Sequence, residues 1–240
     1  GLLPALQAAG VTTREVVYVT RRGEVIWTEP RGRFAGYHWP QISIHRGTLH
    51  MLLHAAVIER LGRDAVITDH EAIGVEQSSQ SATVHFRSRA DGTPRASLSA
   101  DLVVGADGIN SAIRAHFHPN EGPPKWGGMI LWRGTTVIEQ PYLTGATMMI
   151  AGNKHAKFVC YPIRDLGDGR QLINWIADVA EQDSSFRDVS DWNRRGSRDA
   201  FLPHYADWSS QIVDIPALVN GADEIFEYPM SDRDPLPTWI

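Results

Sequence analysis

Three groups of residues have the types and spacing to do chemistry. The first is Asp101-Leu-Val-Val-Gly-Ala-Asp107-Gly108, an apolar run that reads as a buried strand delivering an Asp-Gly turn, with a helix expected from about Ser111. Small residues at Gly105 and Ala106 let backbone approach a ligand, and a helix start behind the turn offers free N–H groups to phosphate. The same pair also serves as a plain turn between elements. The second is Gln41-Ile-Ser-Ile-His-Arg46-Gly-Thr-Leu49, leading into a helical pattern. Arg46 can hold two phosphate oxygens with its planar fork, or can simply be a surface group. The third is a set of strand residues, Trp132, Arg133, Tyr161 and Trp175. The rings can shelter a planar ligand or pack on one another, and Arg133 can orient an acidic ligand or pair with Asp or Glu.

Other chemistries lack their residues. His50 and His54 share a helical face, but the Glu and third ligand of a zinc protease are missing, so no metal site is expected. The sequence has no Gly-x-Ser-x-Gly elbow, phosphate-binding Gly-x-x-x-x-Gly-Lys loop or paired Cys motif. The one Gly-x-Gly, Gly167-Asp-Gly169, lies between two strand candidates and reads as a hairpin turn.

The elements that must position these residues follow from periodicity. A helix end is expected over residues 2–9, stopped by Gly10, then a hairpin of 15–20 and 24–28 around Arg22-Gly23. Apolar residues recur with helical spacing from Thr48 to Leu61. Strands are expected over 65–75, 82–89 and 97–104, and after the Pro/Gly linker 119–124 over 129–138, 147–151, 158–163 and 171–179. Helices are expected over 188–205 and 212–219, and a returning strand over 224–230. The fold class is α/β, or α+β overall.

With 240 residues, 42% of them hydrophobic, the chain can bury one large or two smaller cores. Its net charge of −5 is unevenly spread: residues 1–63 hold eight Arg against four Glu, whereas 177–240 hold five Arg against thirteen Asp and Glu. The basic front suits an anionic cofactor or is a solvated asymmetry. No basic and aromatic path suggests nucleic acid, no stretch reaches membrane-spanning length, and the single Cys160, set in an apolar run, fits a reducing compartment. A cytoplasmic protein is expected.

The Asp101–Arg114 segment, the Gln41–Leu49 segment and a third, Tyr228-Pro-Met-Ser-Asp-Arg-Asp-Pro-Leu-Pro-Thr-Trp239, together resemble the FAD-dependent aromatic hydroxylases, the single-component flavin monooxygenases built like para-hydroxybenzoate hydroxylase. The resemblance implies an incomplete three-layer FAD-binding domain over 1–118, an antiparallel β-sheet substrate domain over 119–230, and a return toward the first at 231–240. It makes Gln41, Arg46, Asp107 and Gly108 contacts to FAD, with NADH or NADPH as reductant. It also implies a small aromatic or heteroaromatic substrate, molecular oxygen, a flavin C4a-hydroperoxide and no catalytic side chain; a homodimer is compatible. The family's Gly-x-Gly-x-x-Gly turn and Gly-Asp motif have no counterpart here. The resemblance therefore implies the central part of such an enzyme; the alternatives are a truncated, inactive flavoprotein or binding module, or a related flavin-dependent oxidoreductase.

Overall fold

The computed structural model describes residues 1–181, 193–208 and 210–239. In chain order the elements are α1 (Leu3–Ala9), β1 (Val11–Thr13), β2 (Glu15–Val19), β3 (Val25–Pro30), β4 (Gln41–Ser43), α2 (Arg46–Leu61), β5 (Glu71–Gln77), β6 (Ala82–Arg87), β7 (Pro94–Ala100), α3 (Ala112–Phe117), β8 (Lys125–Ile138), β9 (Thr147–Gly152), β10 (Ala156–Asp165), β11 (Gln171–Ala180), α4 (Arg198–Phe201), α5 (Ile215–Asn220) and β12 (Ile225–Asp232). The mixed α/β class agrees with the sequence reading. The chain divides into two compact units, one of residues 1–56 and 128–230, the other of residues 57–127 and 231–240.

The first unit is built on a seven-stranded sheet of order β12-β8-β11-β10-β9-β2-β3. Strands β8, β11, β10 and β9 pair antiparallel with one another in that order, each alternating buried and less buried residues with period two, and short connections join β9 to β10 and β10 to β11. The expected wholly antiparallel sheet is corrected at one place: β2 pairs in parallel with β9, Glu15 opposite Thr147 through Val19 opposite Ala151. That ladder carries residues 1–56 into the sheet's unit, so the boundary expected near residue 118 is replaced by a discontinuous one.

One face of the sheet is the core. Ile130, Trp132, Phe158, Cys160, Ile173 and Trp175 point into it and are almost completely buried, each such large side chain contributing roughly 1.5–3 kcal/mol on leaving water. The cover comes from α4, the turn after it and α5. Phe201 stacks on Trp132 with centroids 5.0 Å apart, and Tyr205 meets Phe158 edge-on at 5.7 Å. The Tyr205 hydroxyl donates to the carbonyls of Lys157 (2.9 Å) and Asp178 (3.0 Å), so this aromatic lid is tied to two strands at once. Asp214 caps α5 by accepting from the Ala217 amide at 2.9 Å. Of the helix expected over 188–205, residues 188–192 lie outside the described residues, and the observed helix begins at Arg198 behind the Ser197 cap.

The second unit holds the antiparallel sheet β5-β6-β7 with α3 against β5. Two strand expectations are corrected here. Residues 65–70 form a short turn in which Asp69 adopts φ 58°, and its carboxylate accepts from the Arg89 and Ala90 amides and from Ser88, a local arrangement that competes with a ladder. The segment 102–107 forms no strand and joins no ladder among the described residues, and Leu102 and Val104 are each 78% exposed rather than buried.

Candidate functional site

The face of the first sheet opposite the core carries a cavity of about 430 Å³. Its wall follows from strand register. Tyr161 on β10 lies opposite Asn174 on β11, which lies opposite Thr135 on β8. Arg133, two residues before Thr135, shares their face, and Arg46 from the start of α2 and Phe226 from β12 complete the lining.

Period-two alternation divides the expected wall residues. Trp132 and Arg133 are adjacent in sequence and therefore point to opposite faces. Trp132 and Trp175 are in the core, which corrects the expectation that they shelter a ligand. The Trp132 indole N–H donates to Glu227 at 2.7 Å, and the Trp175 indole donates to the Thr136 hydroxyl at 3.1 Å. Gly134 is what admits Trp175: a Cβ there would stand 2.3 Å from the Trp175 ring. Arg133 and Tyr161 do line the cavity.

The cavity is rich in donors. Arg133 donates through Nη2 to the Tyr228 hydroxyl and its guanidinium carbon lies 5.1 Å from that ring's centroid. Burial raises the Tyr161 and Tyr228 phenols above their ordinary range, and the charges of Arg133 and Arg46 only partly oppose this, so both stay neutral donors at physiological pH. Two further donors, Arg133 Nε and Asn174 Nδ2, are buried without a partner. Two carboxylates, Asp223 and Glu224, are exposed at the rim, and Glu224 is held by Arg195 at 2.7 Å. Among the described residues no carboxylate pairs with Arg46 or Arg133, so the acidic partner considered for Arg133 is replaced by Tyr228. The sequence reading gives Asn174 no role, and marks Tyr228 only as the first residue of the third resembling segment; the polar Asn174 inside Leu172-Ile173-Asn174-Trp175-Ile176 is the available signal.

Gln41 lies on β4 opposite Thr13, five residues before Arg46. Arg46 opens a 16-residue helix, where amides lacking intrahelical partners and a guanidinium free of protein carboxylates fit the anionic part of a cofactor. Asp107 and Gly108 belong to the second unit. Gly108 adopts φ 81°, which a side chain would disfavour. Burial would raise the Asp107 carboxyl, but hydrogen bonds from the Ser111 hydroxyl and from backbone amides, including that of Ile113 at 3.3 Å, hold it below the ordinary carboxylate range. Asp107 thus braces the entry to α3. Beside it, a cavity of about 660 Å³ is lined by residues including Leu102, Val104, Gly105, Phe117 and Trp239. Among the described residues no group of three His, Cys, Asp or Glu could hold a metal ion, and no helix is long and apolar enough to cross a membrane.

Comparison with known proteins agrees with this architecture. The FAD binding domain family model matches residues 15–201. The chain is 40% identical, over its whole length, to phenazine 1,6-dicarboxylic acid hydroxylase PhzS of Lysobacter antibioticus, spanning 59% of that protein. It is 26% identical over 88% of its length to 6-hydroxynicotinate 3-monooxygenase of Bordetella bronchiseptica, spanning 51% of it. Among solved structures, HpxO of Klebsiella pneumoniae in complex with FAD and uric acid superposes with a TM-score of 0.72 at 20% identity, over 97% of this chain and 55% of that one. The chain thus spans between a half and three fifths of the length of these proteins, and it belongs to the FAD binding domain family.

Proposed function

We propose that this chain is the central part of an FAD-dependent, NAD(P)H-using monooxygenase that hydroxylates a small aromatic or heteroaromatic compound. The observation that carries the reading is the open-face cavity, where Arg46, at the start of α2, meets Arg133, Tyr161 and Asn174. FAD, when bound, would take reducing equivalents from NADH or NADPH and activate molecular oxygen, so that one oxygen atom enters the ring. This chain's residues bind and orient. Within the first unit Arg46 and Gln41 hold the anionic part of the cofactor, and Arg133, Tyr161 and Asn174 fix the ring against Phe226; within the second unit the Asp107-Gly108 turn is the proposed cofactor contact. No side chain acts as a nucleophile.

The test is a flavin-fluorescence titration of the folded chain. Saturable FAD binding, weakened on the order of tenfold by Arg46→Ala, is expected from the loss of a charge-assisted contact. Saturable binding indifferent to Arg46 would remove that residue's role, and absence of binding by the folded chain would overturn the reading for these residues alone. In a polypeptide that includes the flanking sequence, substrate-stimulated NAD(P)H oxidation with a hydroxylated product tests the reaction itself.

A further inference from the structure

We infer that the open-face cavity selects its aromatic ligand by hydrogen-bond acceptors along one edge, and that Asn174 is the specificity-determining residue. The inference rests on reading this cavity as the substrate site. Asn174 Nδ2 and Arg133 Nε are both buried and unpartnered, and both side chains line the same cavity. Among the described residues of this sheet, Trp132 has Glu227, Trp175 has Thr136, and Thr136 has the carbonyl of Leu218 at 2.6 Å; the other buried side-chain atoms on or beside it without a partner, Gln171 Oε1, Asp178 Oδ1 and Arg31 Nε, lie outside this cavity's lining. A buried donor left unpaired is unfavourable, so its partner is expected from the ligand.

The placement suits one flat molecule. Asn174 is flanked in register by Tyr161 and Thr135, and Arg133 lies opposite Ile176, two residues along β11 from Asn174 on the same face. Arg133 and Asn174 are therefore diagonal cross-strand neighbours, roughly 7–8 Å apart at the backbone, and both line the one cavity. The neighbouring groups reinforce the sign. Arg46 adds charge, the Tyr161 hydroxyl is a neutral donor, and the rim carboxylates Asp223 and Glu224 are exposed, Glu224 being engaged by Arg195. A site that donates to an acceptor discriminates strongly against an isostere lacking one, because the donors are then left bare.

The probes are quinaldate, which carries ring nitrogen and carboxylate on one edge, and naphthalene, a flat isostere without either. Binding to the folded chain is followed by ligand-observed NMR, which requires neither flavin nor turnover. Wild type is expected to prefer quinaldate by on the order of tenfold or more, and Asn174→Leu to reduce that preference by about tenfold while leaving naphthalene binding intact. Equal affinity for the two probes, a preference that survives Asn174→Leu, or no saturable binding of quinaldate would each overturn the inference. The flavin titration with Arg46→Ala is run on the same samples: retained FAD binding without edge selectivity defeats this inference alone, whereas loss of FAD binding with selectivity intact defeats the flavin reading and leaves the acceptor site standing.

Discussion

Arg133 and Tyr228 form a closed pair: the guanidinium donates to the phenol oxygen while lying over the ring, 5.1 Å from its centroid. The pair pins Arg133 through one edge of its fork and leaves Nε on another edge without a partner. Removing each member should therefore have a different effect. Tyr228→Phe keeps the ring and deletes the hydroxyl, so the expected loss is about 1 kcal/mol of stability, read as a fall of roughly 2–4 °C in Tm, with quinaldate affinity changed little. Arg133→Ala should instead lower quinaldate affinity by on the order of tenfold. Equal effects of the two substitutions on affinity would mean that the hydroxyl, not the guanidinium, meets the ligand.

Gly134 and Trp175 set a packing prediction on the other face. A methyl group added at Gly134 would meet the ring at 2.3 Å, and no flexible side-chain end can relieve that clash, because Trp175 is fully buried and its indole N–H is held by Thr136. Gly134→Ala should cost about 1–3 kcal/mol by overpacking, measured by urea denaturation. Trp132→Phe should cost about 1–3 kcal/mol by stripping a donor from the buried Glu227 carboxylate. A ligand-binding defect without a stability defect in Trp132→Phe would put that ring back in the site.

These two positions show what the sequence could and could not disclose. The strands over 129–138, 158–163 and 171–179 were legible because alternation and aromatic content mark a half-buried sheet, and they match β8, β10 and β11 closely. Which parity faces the core was not legible. Large residues occupy both parities, and the decision belongs to α4 and α5, which cover the face that carries Trp132 and Trp175. Likewise the run Leu102-Val103-Val104 has the composition of a buried strand, yet a ladder needs a partner, and none of the described residues pairs with it. Gln41, Arg46, Asp107 and Gly108 stand out in the sequence by motif and resemblance, as proposed cofactor contacts. Asn174 could not, because its importance lies in an unpaired amide that only the register against Tyr161 and Thr135 exposes.

Arg233 is expected to act as the clamp of the second unit. Its Nε donates to the Ile109 carbonyl at 2.7 Å, and its Nη1 donates to the Gly122 carbonyl at 2.8 Å and faces Glu121 at 3.1 Å. Glu121 also receives Arg114 from α3, so this carboxylate joins its own loop to α3 and to Arg233, while Arg233 itself reaches the turn after Asp107 through the Ile109 carbonyl. The geometry needs a planar fork, which lysine lacks. Both Arg233→Ala and Arg233→Lys should therefore speed backbone hydrogen exchange in 105–122 and 231–239 together, with 129–180 unaffected. Rescue by lysine would reduce the interaction to simple charge pairing.

Asp69 accepts from Arg95, from the Ser88 hydroxyl at 2.9 Å and from the Arg89 and Ala90 amides at 2.8 and 3.1 Å, and these contacts, the Arg95 bond foremost, hold its pKa at about 2 against 3.8 unfolded. Because the folded value is the lower one, the unfolded chain binds more protons between pH 3.8 and about 2. Its contribution to stability is then full above pH 3.8 and is lost as pH falls through about 2. Glu121, held low chiefly by its bond from Arg114, acts in the same direction. Stability followed by urea denaturation should thus fall on acidification in this window, and Asp69→Asn should be less stable at neutral pH with a shallower acid limb. A variant with an unchanged acid limb would show that Asp69 is not among the groups that titrate on unfolding, and the turn at φ 58° would then need another support.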